Sequence, residues 1–284
     1  MHKTRTTFLI TAVYIVTVIF WLAFVGISGY TPTYEGNIYN FLLKPFLIGM
    51  TALPILGGVF GFYRASEWGG LRSAVGRSVC SLSLGVICWG LGMVIWNYYL
   101  FAGIEEIPYP SLADAAFILS WPLWALGVVY LSKATGVKFA LRSMRGKISF
   151  FVVPLIAIAA SYYMLIGVAR GGVIELDTSS TLKLFFDLFY PIGTAVILAM
   201  ALTFFALSLD FLGGIYKRPI VILIIAFLVN YLSDFTFSLT TTNGTYFNGH
   251  FVDFFFLTAM YLLAVSLSMM SPSASGQESY VIKS

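Results

Sequence analysis

The sequence predicts an all-α, polytopic membrane protein of eight transmembrane helices with both termini in the cytoplasm. Three observations carry this expectation. Of the 284 residues, 59% are apolar and only 10% charged, against about 45–50% and about 25% in ordinary soluble domains. The apolar residues gather into eight runs of bilayer-spanning length, and the positive charges lie almost entirely on one side of those runs. This composition excludes a cytosolic enzyme, a secreted disulfide scaffold and a disordered tail, because a soluble fold of this size needs far more charge on its surface.

A hydrocarbon core about 30 Å thick takes roughly 20 apolar residues per helix. The runs lie at about 7–28, 38–62, 78–101, 111–131, 148–168, 184–209, 219–239 and 251–270. The first follows Lys3 and Arg5. Its apolar stretch, Phe8 to Ile27, is too long for a signal-peptide core and no small-residue cleavage site follows, so it is read as a helix that stays. Residues 1–270 form one membrane domain and 271–284 a short polar tail.

With the N-terminus inside, thirteen of the sixteen Lys and Arg residues fall in inner segments, leaving only Lys44, Arg170 and Lys183 at outer ends. The positive-inside rule then places both termini in the cytoplasm. Five cations between Lys133 and Lys147 read as a topology anchor in contact with anionic lipid, rather than as a nucleotide site. Cys80 and Cys88, inside one apolar run, read as buried thiols without a disulfide or metal role.

The eight helices contain an internal correspondence. An offset of 137 residues sets Pro54 over Pro191 and Asn97 over Asp234; two inserted residues later, Asp114 falls over Asp253, Phe117 over Phe256, Leu123 over Leu262 and Ala125 over Ala264. A first repeat at about 7–131 and a second at about 148–270 are expected. An even helix number makes the two parallel, related by an axis along the membrane normal. Prolines 45, 54, 122, 154 and 191 read as kinks, and the glycines at 57, 58, 61, 85, 90 and 92 as close-packing positions.

Ionisable groups at a helix centre in the bilayer cost roughly 2.5–3.5 kcal/mol each on insertion scales, and are functional by default. Here Lys44, Asp114, Asp187, Asp234 and Asp253 all fall near outer helix ends, with Asn97 at similar depth and none in the inner half of a helix. Asn230 lies one turn before Asp234, on the same face. Glu105, Glu106 and His250 stand in the adjoining loops. Four aspartates against one lysine suggest an outward-facing polar pocket that suits a cation, an amine, a zwitterion or a proton. An alternative stays open for Asp114 and Asp253, and less strongly for Asp187: carboxylates that cap helix starts. Asp234 is expected near a C-terminal helix end, where the dipole disfavours an anion, and so is the foremost candidate for a functional carboxylate.

Other chemistry finds little support. Two histidines, His2 and His250, exclude bis-histidine haem and histidine-rich zinc sites, no core lysine offers a retinal Schiff base, and no HExxH, GxSxG or phosphate loop occurs. No cofactor, metal ligand set or nucleic-acid partner is therefore assigned. The tripeptide Asn243-Gly244-Thr245 is read as a chance glycosylation pattern.

The stretch IPYPSLADAAFILSWPLWALGVVYL, Ile107 to Leu131, resembles the multi-helix N-terminal membrane domains of bacterial signalling proteins, which precede PAS, diguanylate cyclase and phosphodiesterase modules. Their PxPSxAD lead-in corresponds to Pro108, Pro110, Ser111, Ala113 and Asp114, with Trp121-Pro122 in place of their Tyr-Pro. Asp187-Leu188-Phe189-Tyr190-Pro191 is similar to a second motif, with Thr194 where a further acid is usual; Gly244-Thr245-Tyr246, Gly249 and Asp253 are similar to a third. The resemblance implies a sensory or ligand-receiving membrane domain and supplies no ligand. About fourteen polar residues follow the last helix without an output domain, so the expectation is signalling through a separate cytoplasmic or membrane partner. The leading expectation is a non-enzymatic ligand-binding module with Lys44, Asn97, Asp114, Asp187, Asp234, Asp253 and His250 at its pocket. A small transporter or channel-like subunit, and a lipid-modifying enzyme using carboxylates, are the alternatives.

Overall fold

A computed structural model describes residues 2–32, 35–104, 110–134, 142–168, 171–172, 192–193, 195–204, 206 and 217–272. They form helices, turns and loops, with no strand among the described residues. Helix α1 runs over His2–Ser28, α2 over Gly36–Glu67, α3 over Ala74–Phe101, α4 over Leu112–Ala134 and α5 over Met144–Val168. A shorter apolar helix, α6, covers Ala195–Phe204 inside the sixth expected run, half of which lies outside the described residues. Helices α7, Lys217–Thr242, and α8, Phe251–Met269, are the last among the described residues. Seven of these are long and apolar enough to cross a bilayer, the architecture of a multi-pass membrane protein.

The helices overrun their apolar runs. Arg64 and Glu67 belong to the last turn of α2, Lys133 to that of α4, and Lys217 and Arg218 to the first turn of α7. The expectation that no charge enters the inner half of a helix therefore needs correcting at Arg64. It is 2% exposed and lies inside the packed bundle rather than in a solvated loop.

Small residues set the interhelical distances. A methyl group at Gly57 would strike Ala264 of α8, at Gly58 Ile87 and the Ser83 carbonyl of α3, and at Gly85 the Trp124 indole of α4. Gly92 similarly accepts Phe117, and Gly127 accepts Leu82. In lipid, where apolar surfaces have no hydrophobic reason to associate, such backbone approaches supply the packing that holds helices together. Ser78 Oγ adds a hydrogen bond from α3 to the Gly127 carbonyl of α4 at 2.7 Å.

Helix α1 lies antiparallel along α8 through a regular polar ladder. Thr7 meets Ser268 at 2.9 Å, Thr11 meets the Tyr261 hydroxyl at 3.2 Å, and the Tyr14 hydroxyl meets Thr258 at 3.1 Å. Spacings of three and four residues put these groups on one stripe. Tyr14 stacks on Tyr261 at 4.1 Å and Trp21 on Phe254 at 4.7 Å between centroids. One irregularity also has a sequence cause. Residues Tyr39–Leu43 form a π turn just ahead of Pro45, and the Lys44 N–H reaches back to the Tyr39 carbonyl. Proline has no N–H to offer and its ring crowds the carbonyl four residues earlier, so a wider turn there relieves the clash.

Candidate functional site

At one end of the bundle a cavity of about 110 Å³ opens between α2, α3, α4, α7 and α8. Each helix gives it a stripe at helical spacing: Trp89, Met93 and Trp96 from α3; Asp114, Phe117 and Trp121 from α4; Asn230, Asp234 and Phe237 from α7. Asp253 and Phe256 line it from α8, Leu47 and Met50 from α2, and Tyr246 and Asn248 from the loop before α8. The aromatic walls touch one another. Trp89 stands between Phe117 at 5.5 Å and Phe256 at 5.9 Å, while Phe237 packs on Tyr246 at 4.8 Å.

Two of the aspartates arrive with bonds that their own helices require. Asp114 Oδ2 accepts from the Ser111 N–H at 2.6 Å and its hydroxyl at 2.9 Å, while the Asp114 N–H reaches the Ser111 carbonyl and the Ser111 hydroxyl accepts from the Ala113 N–H at 3.2 Å. This is a capping box, the serine and the acid three residues on satisfying each other's donors. Asp253, three residues beyond the cap position of α8 at His250, instead ties down the preceding loop: Oδ2 accepts from the Gly249 N–H at 2.6 Å and Oδ1 from the Tyr246 hydroxyl at 2.9 Å. Gly249 is confined to glycine, since its φ is +93° and a side chain would meet Phe24 and Leu43. Holding the start of a helix and lining the pocket thus coincide in both residues, by a cap at Asp114 and by the loop bonds of Asp253.

Asp234 differs. It is 8% exposed, and α7 continues to Thr242, two turns beyond it. The expected proximity to a C-terminal helix end is therefore corrected: the end effect fades within the last turn. The Asn230 amide nitrogen donates toward Asp234 Oδ2 at a long 3.4 Å. Asn230 is 2% exposed, and its side-chain oxygen has no hydrogen-bond partner although it is fully buried. Buried polar atoms are ordinarily paired, so this unmet acceptor, enclosed within a residue of the cavity wall, stands out.

The remaining expected residues lie elsewhere. Asn97 is buried but donates to the Leu47 carbonyl at 3.0 Å and the Thr51 hydroxyl at 2.7 Å, clamping α3 to α2 behind the wall. Lys44 sits over the rings of Tyr39, at 4.8 Å, and Phe101, at 5.5 Å, and is not among the lining residues. His250 is also off the lining, buried among Tyr30, Phe247 and Phe251, with its Nδ1 unpartnered and its pKa lowered by burial. Asp187, Glu105 and Glu106 lie outside the described residues.

The aromatic share of the site was missed in the sequence. Its signal was present: Trp89, Met93 and Trp96, like Asp114, Phe117 and Trp121, are spaced i, i+3 or i+4, i+7. Asn248, whose Oδ1 accepts from the Trp96 indole at 3.0 Å, had no such signal, because only the fold brings that loop against α3. Among the described residues, no three His, Cys, Asp or Glu side chains converge closely enough to hold a metal ion. No family model matches the chain, and neither does any curated protein or solved structure.

Proposed function

We propose that the chain is a sensor-like, ligand-binding module of the cell membrane, with both termini cytoplasmic and the cavity facing the opposite side. The observation that carries this reading is the cavity itself. It gathers Asp114, Asp234 and Asp253 from three helices, together with Asn230, whose buried side-chain oxygen has no partner. The orientation rests on the distribution of Lys and Arg. The sensory role draws on the resemblance of Ile107–Leu131 to membrane domains of bacterial signalling proteins. In this reading occupancy biases the packing of two four-helix repeats, which a separate signalling partner reads at the cytoplasmic loops.

The duplication gains support from two features. Asp114 and Asp253, paired by the sequence offset, each stand three residues beyond the capping position of their helices. Trp89 touches both members of the equivalent pair Phe117 and Phe256, as a residue near a pseudo-twofold axis would.

The test is an unbiased thermal-unfolding screen of the purified protein in nanodiscs, using small cationic, anionic, zwitterionic and neutral compounds. A bound ligand at a hundred times its Kd adds about 2.7 kcal/mol of stability, a readily measured rise in Tm. At least one class should raise Tm, and Asp234→Asn should reduce that rise. A screen in which no compound acts, or in which Asp234→Asn and Asp253→Asn together change no response, overturns the reading.

A further inference from the structure

We infer that the end of the bundle opposite the cavity binds the phosphate of an anionic glycerophospholipid between Arg77 of α3 and Lys133 of α4, with the Tyr130 ring setting the two cations side by side. This site is separate from the cavity and needs only the membrane setting that the spanning helices give.

Three observations lead to it. The first is convergence. The Arg77 guanidinium carbon lies 5.5 Å and the Lys133 Nζ 5.3 Å from the centroid of the Tyr130 ring. The two charges therefore stand no more than about 11 Å apart, the sum of those distances. Arg77 follows one interhelical turn and Lys133 precedes another, so it is the packing of α3 on α4 that brings them to one half-buried ring. Both side chains are exposed. Each ring contact is a weak cation–π attraction that orients its cation and leaves the charge unneutralised. The second is the charge balance at this end. Glu67, the one described acid there, is taken up by Arg64. Thirteen Lys and Arg residues belong to the segments on this side, against three acids, Glu67, Asp210 and Glu278. Asp210 and Glu278 lie outside the described residues, and wherever they stand they leave ten of those cations unbalanced.

The third is depth. At about 1.5 Å per residue, α3 rises about 36 Å from Arg77 to Phe101 and α4 about 32 Å from Leu112 to Lys133. The hydrocarbon core is about 30 Å thick. Cations at these two positions therefore reach the headgroup layer, where tyrosine also collects. A phosphate there suits both: the arginine fork takes two of its oxygens and the ammonium acts as a point charge on another. Among phospholipids the pair selects those with net negative charge. A choline headgroup brings its own cation against Arg77 and Lys133, and the ring that would attract it already carries both.

The experiment is native mass spectrometry of the full-length protein in a neutral detergent, titrated with phosphatidylglycerol or with phosphatidylcholine of the same acyl chains. Phosphatidylglycerol should bind at least about tenfold more tightly, since each interfacial cation is worth about fivefold in affinity for an anionic lipid. Arg77→Gln and Lys133→Gln, both on exposed side chains, should each lose about fivefold, and the double variant should bind the two lipids alike. Tyr130→Phe, which keeps the ring, should bind as the parent does, whereas Tyr130→Leu should lose affinity although both cations remain. Arg5→Gln is the control: Arg5 is exposed at the start of α1, on the same side but away from Tyr130, and should change affinity less than twofold. Equal binding of the two lipids overturns the inference. So does a loss in Arg5→Gln as large as that in Arg77→Gln, which would mean a diffuse positive field and no discrete site. Displacement of phosphatidylglycerol by millimolar inorganic phosphate would overturn the choice of a lipid and assign the two cations to a soluble anion.

Discussion

Replacing Arg64 with methionine is the sharpest test of how the end of the bundle opposite the cavity is held. The guanidinium lies 2% exposed between three helices. Nε donates to the Ser268 carbonyl of α8 at 3.1 Å, Nη1 to Glu67 at 2.8 Å and Nη2 to the Thr6 hydroxyl of α1 at 3.0 Å. The last four carbonyls of a helix have no partner within it. Arg64 serves one of these in α8, and the Trp68 indole serves the Met270 carbonyl just past its end at 3.2 Å. Glu67 also accepts from Ser271 at 2.8 Å.

Three bonds from a charged donor at about 1.5–3 kcal/mol each would sum to well over 4 kcal/mol if they were additive. They are not, since they share one side chain. Breaking a fully buried ion pair costs about 3–5 kcal/mol, and Glu67, with a quarter of its side chain exposed, recovers some hydration when stranded. A loss of about 3 kcal/mol is expected for Arg64→Met, which keeps the aliphatic stem and so isolates the polar loss. SDS-titration unfolding in bicelles measures it, with Glu67→Gln completing a double-mutant cycle whose coupling should be about 1–2 kcal/mol. Arg64→Lys should restore less than half of the loss, because one ammonium cannot reproduce the three-way fork. A cost below about 1 kcal/mol for Arg64→Met, comparable to an exposed ion pair, would refute the clasp.

Three further outcomes follow from the same geometry. Gly57→Ala should cost about 1–3 kcal/mol by overpacking Ala264, and Ala264→Gly should rescue part of that loss in the double variant, both read by SDS titration. Ser111→Ala removes one partner of the α4 capping box and should destabilise by about 1 kcal/mol. His250 is held below its ordinary pKa of 6.5 by burial, so the unfolded chain takes up its proton first. Its contribution is complete above pH 6.5 and is lost as pH falls from there toward the folded value; His250→Asn should flatten the Tm profile over that window.

The helical architecture was legible because lipid leaves only a few ways to satisfy a backbone, and an uncharged run of twenty residues declares one of them. Seven runs appear as spanning helices, off at their ends only because hydropathy stops where charge begins while the helix continues, as at Arg64 and Glu67. The acidic residues were legible by scarcity: three of the four expected aspartates meet at one cavity, and the fourth lies outside the described residues. Asn97 was misleading for the same reason. A rare polar group in an apolar run draws notice whether it faces a cavity or ties two helices, and composition carries no sign of direction. The tryptophans went unnoticed because aromatic residues are plentiful in this chain, at 17%, so only their joint spacing with Asp114 or Met93 sets them apart.

Capping and binding are not rival accounts of the aspartates, because they divide the cavity's charge unevenly. A helix N-terminus carries about half a positive charge, which acts within its first turn. Asp114 and Asp253 both stand there and accept backbone N–H bonds from the segments just ahead of their helices, so each carboxylate faces the positive end of its own helix. Asp234 stands two turns from the C-terminus of α7, where no such half-charge reaches it. Asp234 therefore meets the cavity without a helix terminus to stabilise its charge, near Asn230 with its unmet oxygen. Asp114→Asn should then cost mainly helix stability and Asp234→Asn mainly ligand affinity, a separation visible when Tm without ligand and binding are measured on both variants. Equal loss of affinity in the two would show that the helix dipoles do not shape the field in the cavity.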